Sequence, residues 1–216
     1  MVGAGAAEGL RRIPQCSSAH LPAAMRSTLR TFIAIEISAD VREQAGRLVG
    51  RLERSDANIK WVALKNLHLT LKFLGDVPTN ETLEVCRAVE RAVRGLAPFH
   101  VQLGGAGAFP SAARPRAVWI GVTEGADEMI RLHDALDKEL SGLGYPAEQR
   151  KFRPHLTIGR ARRGRGGGND LPDLLEKNKD FPSGAMPVRE VVVFSSQLES
   201  SGPVYTPLGR ARLKGK

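Results

Sequence analysis

The apolar positions of this chain follow two spacings that take turns. "TFIAIEI" (31–37) is a compact β-rich run of the kind that makes a buried strand. "SADVREQAGRLVGRLE" (38–53) then sets Val41, Ala45, Leu48 and Leu52 three or four apart behind Ser38, which predicts an amphipathic helix with a capping serine. "KWV" (60–62) and "NLHLTLKFLG" (66–75) read as strands, the second ending at Gly75. "TNETLEVCRAVERAVRGL" (79–96) has a polar start, helical spacing and Gly95 near its end, so it predicts a second helix. "FHVQLGGAGAFPS" (99–111) predicts a strand running into a Gly-rich loop, and "RAVWIGV" (116–122) a strand. "ADEMIRLHDALDKELSGLG" (126–144) predicts a third helix closed by Gly142 or Gly144.

The second half repeats this grammar. "PHLTIGRA" (154–161) reads as a strand, "RRGRGGGN" (162–169) as a flexible basic loop and "DLPDLLEKN" (170–178) as a short helix. "VREVVVFSSQLES" (188–200) and "PVYTPLGRARL" (203–213) read as long strands joined by a turn around "SGP". Each half mixes strands and helices and holds one strand with His-Leu-Thr. The expected fold is α+β and bilobal, with two lobes of mainly antiparallel sheet related by a rough two-fold axis. Helices lie outside and a cleft lies between the lobes. The domain is placed at 29–210, after an extension over 1–28 expected to be disordered and before a basic tail at 211–216. The extension is rich in Ala, Gly, Ser and Pro, has no steady period and lacks the apolar block of a secretory signal. Regular pattern begins just after Met25, a candidate start.

The recurrence itself carries chemistry. "HLTLKFLG" (68–75) and "HLTIGR" (155–160) use two of only five histidines. A given histidine should be followed by Leu, Thr and an aliphatic residue roughly once in a thousand at average usage. Residues i and i+2 share a strand face. His68, Thr70 and Lys72 are therefore expected on one face, with Leu69, Leu71 and Phe73 on the other. In the second copy His155 and Thr157 share a face opposite Leu156 and Ile158. Bringing the two strands together makes a site of two imidazoles and two hydroxyls, with Lys72 on its rim. One imidazole can take a proton from water while the other gives one to a departing oxygen on the far side of a phosphorus atom, because both titrate near neutrality. Thr70 and Thr157 can donate to non-bridging oxygens, and Arg160 can add a charge-assisted contact. A regular strand aims Arg160 away from the site, so a bulge or bend at Gly159 is needed to bring it back. The symmetry leaves open which ring is acid and which is base. His20, His100 and His133 have no such setting.

Composition narrows this picture without redirecting it. The net charge of +9 favours polyanions such as nucleic acid, while 5% aromatic residues argue against a string of base-stacking platforms. Cys16 and Cys86 have no metal-ligand spacing and suggest a reducing compartment. No His/Asp cluster with ligand spacing lies near either motif, no phosphate loop is present, and "GGAGAF" fails as a dinucleotide fingerprint. The expectation is metal-free, ATP-independent chemistry without a cofactor, in a monomeric cytoplasmic protein with no membrane span. The basic loop is expected to be solvated, with contact to an RNA backbone as the lesser alternative.

The blocks "RTFIAIEI", "WVALKNLHLTLKFLGDV", "GAFPSAARPRAVWIGV", "RKFRPHLTIGR" and "SSQLESSGPVYTPL" resemble the 2H phosphoesterases. Within them, the resemblance is in particular to the bacterial RNA 2',3'-cyclic phosphodiesterases once described as 2'-5' RNA ligases, and it covers roughly 29–209. The extension and the length of the basic loop depart from that pattern. The resemblance implies hydrolysis of an RNA 2',3'-cyclic phosphate terminus to a 2'-phosphate. It implies His68 as proton donor to O3', His155 as the base that activates water, and Thr70, Thr157 and Arg160 as phosphate ligands. The alternatives are 2'-5' ligation as the main activity and a non-catalytic module that binds RNA ends.

Overall fold

A computed structural model describes residues 27–162, 170–200 and 202–215. The extension through residue 26, residues 163–169 of the basic loop, Ser201 of the expected turn and Lys216 lie outside the described residues. The strands are β1 (Thr28–Glu36), β2 (Ile59–Trp61), β3 (His68–Pro78), β4 (Phe99–Phe109), β5 (Ala117–Glu124), β6 (His155–Ala161), β7 (Pro182–Val188), β8 (Glu190–Glu199) and β9 (Gly202–Arg212). The helices are α1 (Ala39–Leu52), α2 (Thr82–Val93), α3 (Ala126–Ser141) and α4 (Leu171–Lys177).

The strands form one antiparallel sheet in the order β7-β4-β5-β6-β3-β1-β8-β9, with β2 added to β6. Strands β3 and β6 meet at a single register pair, Leu69 opposite Leu156. That junction divides the path into two groups of four. The groups are not the two halves of the sequence, because β8 and β9 return to β1 while β4 joins β5 and β6. An α+β fold with a mainly antiparallel sheet is what the hydrophobic pattern predicts.

Local chemistry explains the elements. Ser38 Oγ accepts from the Val41 N–H at 3.2 Å and starts α1. One apolar core joins Leu69 and Leu156 to Leu48 of α1, Val89 of α2, Leu136 of α3 and Leu175 of α4. Four residues on the sheet, Phe32, Ala34, Val192 and Phe194, form a separate small cluster against Tyr205. Residues 79–81 of the expected second helix form a 3-10 turn before α2 begins.

Three segments differ from expectation. The glycines of "LGGAGAF" lie inside β4 and not in a loop. They are needed for close approach: a Cβ on Gly105 would stand 2.3 Å from the Lys179 carbonyl oxygen, and one on Gly107 would stand 2.3 Å from the Trp119 ring. Strand β7, "PSGAMPV", is not among the strands predicted from the pattern; its two prolines are tolerated because β7 is a sheet edge. The boundary expected at 210 falls inside β9, and beyond it Leu213 is buried and the Gly215 N–H donates to Leu96 O at 2.8 Å. No helix among the described residues is long and apolar enough to cross a membrane.

Lys72 is the main correction. It is 4% exposed and not on a rim. Its Nζ donates to Asp137 Oδ1 of α3 and to Pro146 O at 2.8 Å. The cause is a bulge. Ala34 pairs with Thr70 and Ile33 with Lys72, so Leu71 is unpaired and the side-chain alternation reverses beyond it. Phe73, expected on the apolar face, is 59% exposed instead. The Glu148 N–H also donates to Asp137, at 2.9 Å, and His133 Nδ1 donates to Leu71 O at 3.0 Å. Burial alone raises the pKa of Asp137, but the hydrogen bonds from Lys72 and Glu148 outweigh it and hold the carboxyl below its usual value.

Removing Asp137 strands a buried ammonium. Asp137→Ala is expected to destabilise the protein by about 3–5 kcal/mol in denaturant titration, while Lys72→Met, which removes the charge and keeps the volume, costs less. The Asp137 contribution is present above the unfolded-state carboxylate pKa and is lost as pH falls through the depressed folded value. Equal losses in the two variants would show that the charge pairing is not what matters.

Candidate active site

Each half of the site is set by its strand. Leu69 and Leu156 are fully buried on the helix side, so the residues flanking them, His68, Thr70, His155 and Thr157, lie on the opposite face. All four are half-buried. Antiparallel pairing at Leu69 and Leu156 sets His68 beside Thr157 and Thr70 beside His155. The two histidines are then diagonal neighbours, a relation that separates side-chain origins by about 7–8 Å in a regular pair.

The ring contacts match. His68 Nδ1 lies 2.8 Å from Asn66 O, and His155 Nδ1 lies 2.6 Å from Arg153 O. A carbonyl only accepts, so each Nδ1 carries the hydrogen, and Nε2 is the nitrogen left to exchange protons. In both copies the acceptor is the backbone two residues before the histidine.

Arg160 reaches this face by the bulge expected at Gly159. Trp119 pairs with Thr157 and Val118 with Gly159, leaving Ile158 unpaired. Ile158 and Gly159 are both buried, and Arg160 returns to the exposed side. Glycine is required here by space: a Cβ would stand 2.6 Å from Ile59 Cγ2 and 2.9 Å from Trp61 Cε3 of β2. The same offset in the first copy turns out Phe73, so the residue five after each histidine returns to its face: Phe73 in one copy, Arg160 in the other.

Burial is the largest influence on both rings and lowers both pKa values below 6.5. The backbone acceptors oppose that shift, while the positive charge of Arg160 adds to it at both rings. Burial pushes the Tyr205 hydroxyl up, against the pull of Arg160 and Arg30, so it stays protonated and able to donate.

Aromatic walls flank the rings. Phe32 lies 4.8 Å from His68 between ring centroids, and Tyr205 meets His68 edge-on at 5.3 Å. Phe109 meets His155 edge-on at 5.1 Å and lies 5.0 Å from Trp119. The sequence pattern does not single out these residues, because which strands neighbour β3 and β6 is not written in local spacing. The carbonyls of Asn66 and Arg153 leave no residue-type signal at all.

The remaining histidines stay outside the site. His133 is buried against Phe152 at 4.2 Å between centroids, and His100 is exposed on β4. His20 and Cys16 lie outside the described residues, and Cys86 is a half-buried free thiol. Among the described residues, no group of three or more His, Cys, Asp or Glu side chains is placed to hold a metal ion. Two imidazoles, two hydroxyls and one guanidinium thus lie on one face of the sheet, a set suited to an anion that gains and loses protons.

Known proteins match this chain along most of its length. The model of the 2'-5' RNA ligase superfamily matches residues 38–198. The RNA 2',3'-cyclic phosphodiesterase of Thermotoga maritima is 36% identical over 190 residues, covering 87% of this chain and 97% of that protein. A crystal structure of a Thermus thermophilus protein superposes with a TM-score of 0.69 at 29% identity, covering 87% of this chain and all of that one. The structure of E. coli LigT complexed with 3'-AMP gives a TM-score of 0.68 at 27% identity, covering 86% of this chain and 98% of that one. On that match of family model, relatives and fold, the chain belongs to the 2'-5' RNA ligase superfamily.

Proposed function

We propose that this protein hydrolyses RNA 2',3'-cyclic phosphate termini to 2'-phosphomonoesters, using His68 and His155 as an acid–base pair and no metal. One observation carries the reading. Both rings spend Nδ1 on a backbone carbonyl, lie on one face of the sheet, and have no Nε2 partner among the described residues. The name of the Thermotoga maritima relative supports the substrate class.

The chemistry follows from placement. Neutral His155 Nε2 takes a proton from water as the water oxygen bonds to phosphorus. Protonated His68 Nε2 gives a proton to O3' as the P–O3' bond breaks. Each Nδ1–H···O=C bond is kept throughout, so the ring does not reorient during transfer. Thr70 and Thr157 donate to non-bridging oxygens, and Arg160 balances the charge that grows on them. Burial and Arg160 favour neutral rings in the free protein. The bound phosphate anion offsets Arg160 and restores the proton to His68.

The decisive assay is a short oligonucleotide ending in 2',3'-cyclic phosphate, incubated in chelator without ATP, with the product isomer identified. A 2'-phosphate product supports the proposal. Joined 2'-5' product in place of hydrolysis would favour ligation, and salt-sensitive binding without turnover would favour an end-binding module. His68→Ala and His155→Ala are each expected to lower kcat/KM at least about a hundredfold. Thr70→Ala should give a milder, roughly tenfold loss, the scale of one hydrogen bond.

The pH profile tests the electrostatics separately. kcat/KM reports groups of the free enzyme, so a bell set by two depressed imidazoles has its maximum below pH 6.5. Arg160→Met removes a charge that lowers both values. It is expected to shift that maximum upward in pH while also reducing the rate; a downward shift would contradict a shared influence of Arg160 on the two rings.

A further inference from the structure

Beside His155, on the side away from His68, the surface opens into a groove of about 520 Å³. Phe109 and Trp119 line it, and Gly104, Gly105 and Gly121 leave part of its floor without side chains. Lys151, Arg153 and Lys179 also line it, and all three are exposed. Arg153 lies over the Phe109 ring at 4.9 Å. Among the described residues Lys179 Nζ bonds Glu176, in a surface ion pair of the kind that a phosphate can displace.

We infer that this groove holds the body of the RNA strand, the nucleotides on the 5' side of the cyclic phosphate, through aromatic stacking and backbone phosphate contacts. The inference rests on the proposed function and extends it from the reacting phosphate to the rest of the substrate. Its basis is the combination of parts. Exposed cations around an aromatic wall suit a single strand, which carries one phosphate and one flat base per nucleotide. A terminal nucleoside brings no phosphate besides the reacting one, so three further cations would have no partner in it. The groove begins at His155, so a strand lying in it runs directly from the reacting end. The 5% aromatic content argues against an array of stacking platforms along the molecule; the structure gathers several of those few rings around the histidines.

The test compares two substrates that share a reacting end: adenosine 2',3'-cyclic monophosphate, and a hexanucleotide ending in adenosine 2',3'-cyclic phosphate. The wild-type protein is expected to show a kcat/KM at least about tenfold higher on the hexanucleotide, with the excess shrinking as salt rises. The double variant Lys151→Glu/Lys179→Glu changes two exposed side chains outside the histidine pair. It should lower the hexanucleotide-to-mononucleotide ratio about tenfold and weaken binding of a fluorescently labelled hexanucleotide, read by anisotropy, to a similar degree. A wild-type ratio near one would overturn the inference. So would a variant that loses activity equally on both substrates, because the groove would then serve the terminal nucleoside. If neither substrate turned over yet the variant still weakened hexanucleotide binding, the groove assignment would stand and the hydrolytic reading would fall.

Discussion

One backbone contact organises the molecule. Strands β3 and β6 are joined at Leu69 and Leu156, and the histidines, threonines and Arg160 are placed by their distance along a strand from that pair. The two leucines are anchored in the helix-covered core, which forces the residues on either side of them to the other face. Because the strands run antiparallel, the relation is self-reciprocal: what the first motif presents to the second, the second presents to the first. A one-residue slip of either strand at this junction would send its histidine into hydrocarbon and its leucine into solvent. Burial of the leucines therefore fixes which face of the sheet the histidines occupy.

The bulges divide the labour between the two copies. Both motifs begin with the same three residues, and both lose the alternation two positions after threonine. In the first copy the residue after the unpaired one is Lys72, which turns inward to Asp137 and ties β3 to α3 and to the segment around Pro146 and Glu148. In the second copy it is Gly159, which makes room for Ile59 and Trp61 of β2. A shared distortion thus serves a buried ion pair on one side and a close strand approach on the other. The residue that re-emerges differs too, giving the site one aromatic and one cation where strict symmetry would give a matched pair.

Much of this is legible in the chain. The helical spacing of Val41, Ala45, Leu48 and Leu52, the serine cap and the paired His-Leu-Thr strands all act through local geometry, which sequence records directly. The return of Arg160 is readable because a glycine stands where a bend is required. Strict alternation misplaces Lys72 because nothing in "HLTLKFLG" marks Leu71 as unpaired; that depends on β1 lying alongside, a tertiary fact. The same limit hides β7, whose prolines make sense only at a sheet edge, and the aromatic walls, which come from strands distant in sequence. The carbonyls that hold the two rings are invisible for a simpler reason, since every residue has one.

That last feature bears on how such a protein can change over time. The groups that select each imidazole's tautomer belong to the main chain of residues 66 and 153, so their side chains are under no obligation to that task. Asn66 uses its own amide elsewhere, on Pro203 O, and Arg153 spreads its guanidinium over Phe109. Those two positions can therefore be rewritten to suit different neighbours or different ligands while each ring keeps its Nδ1 hydrogen bond, and diversification beside the histidines need not change how their rings are held.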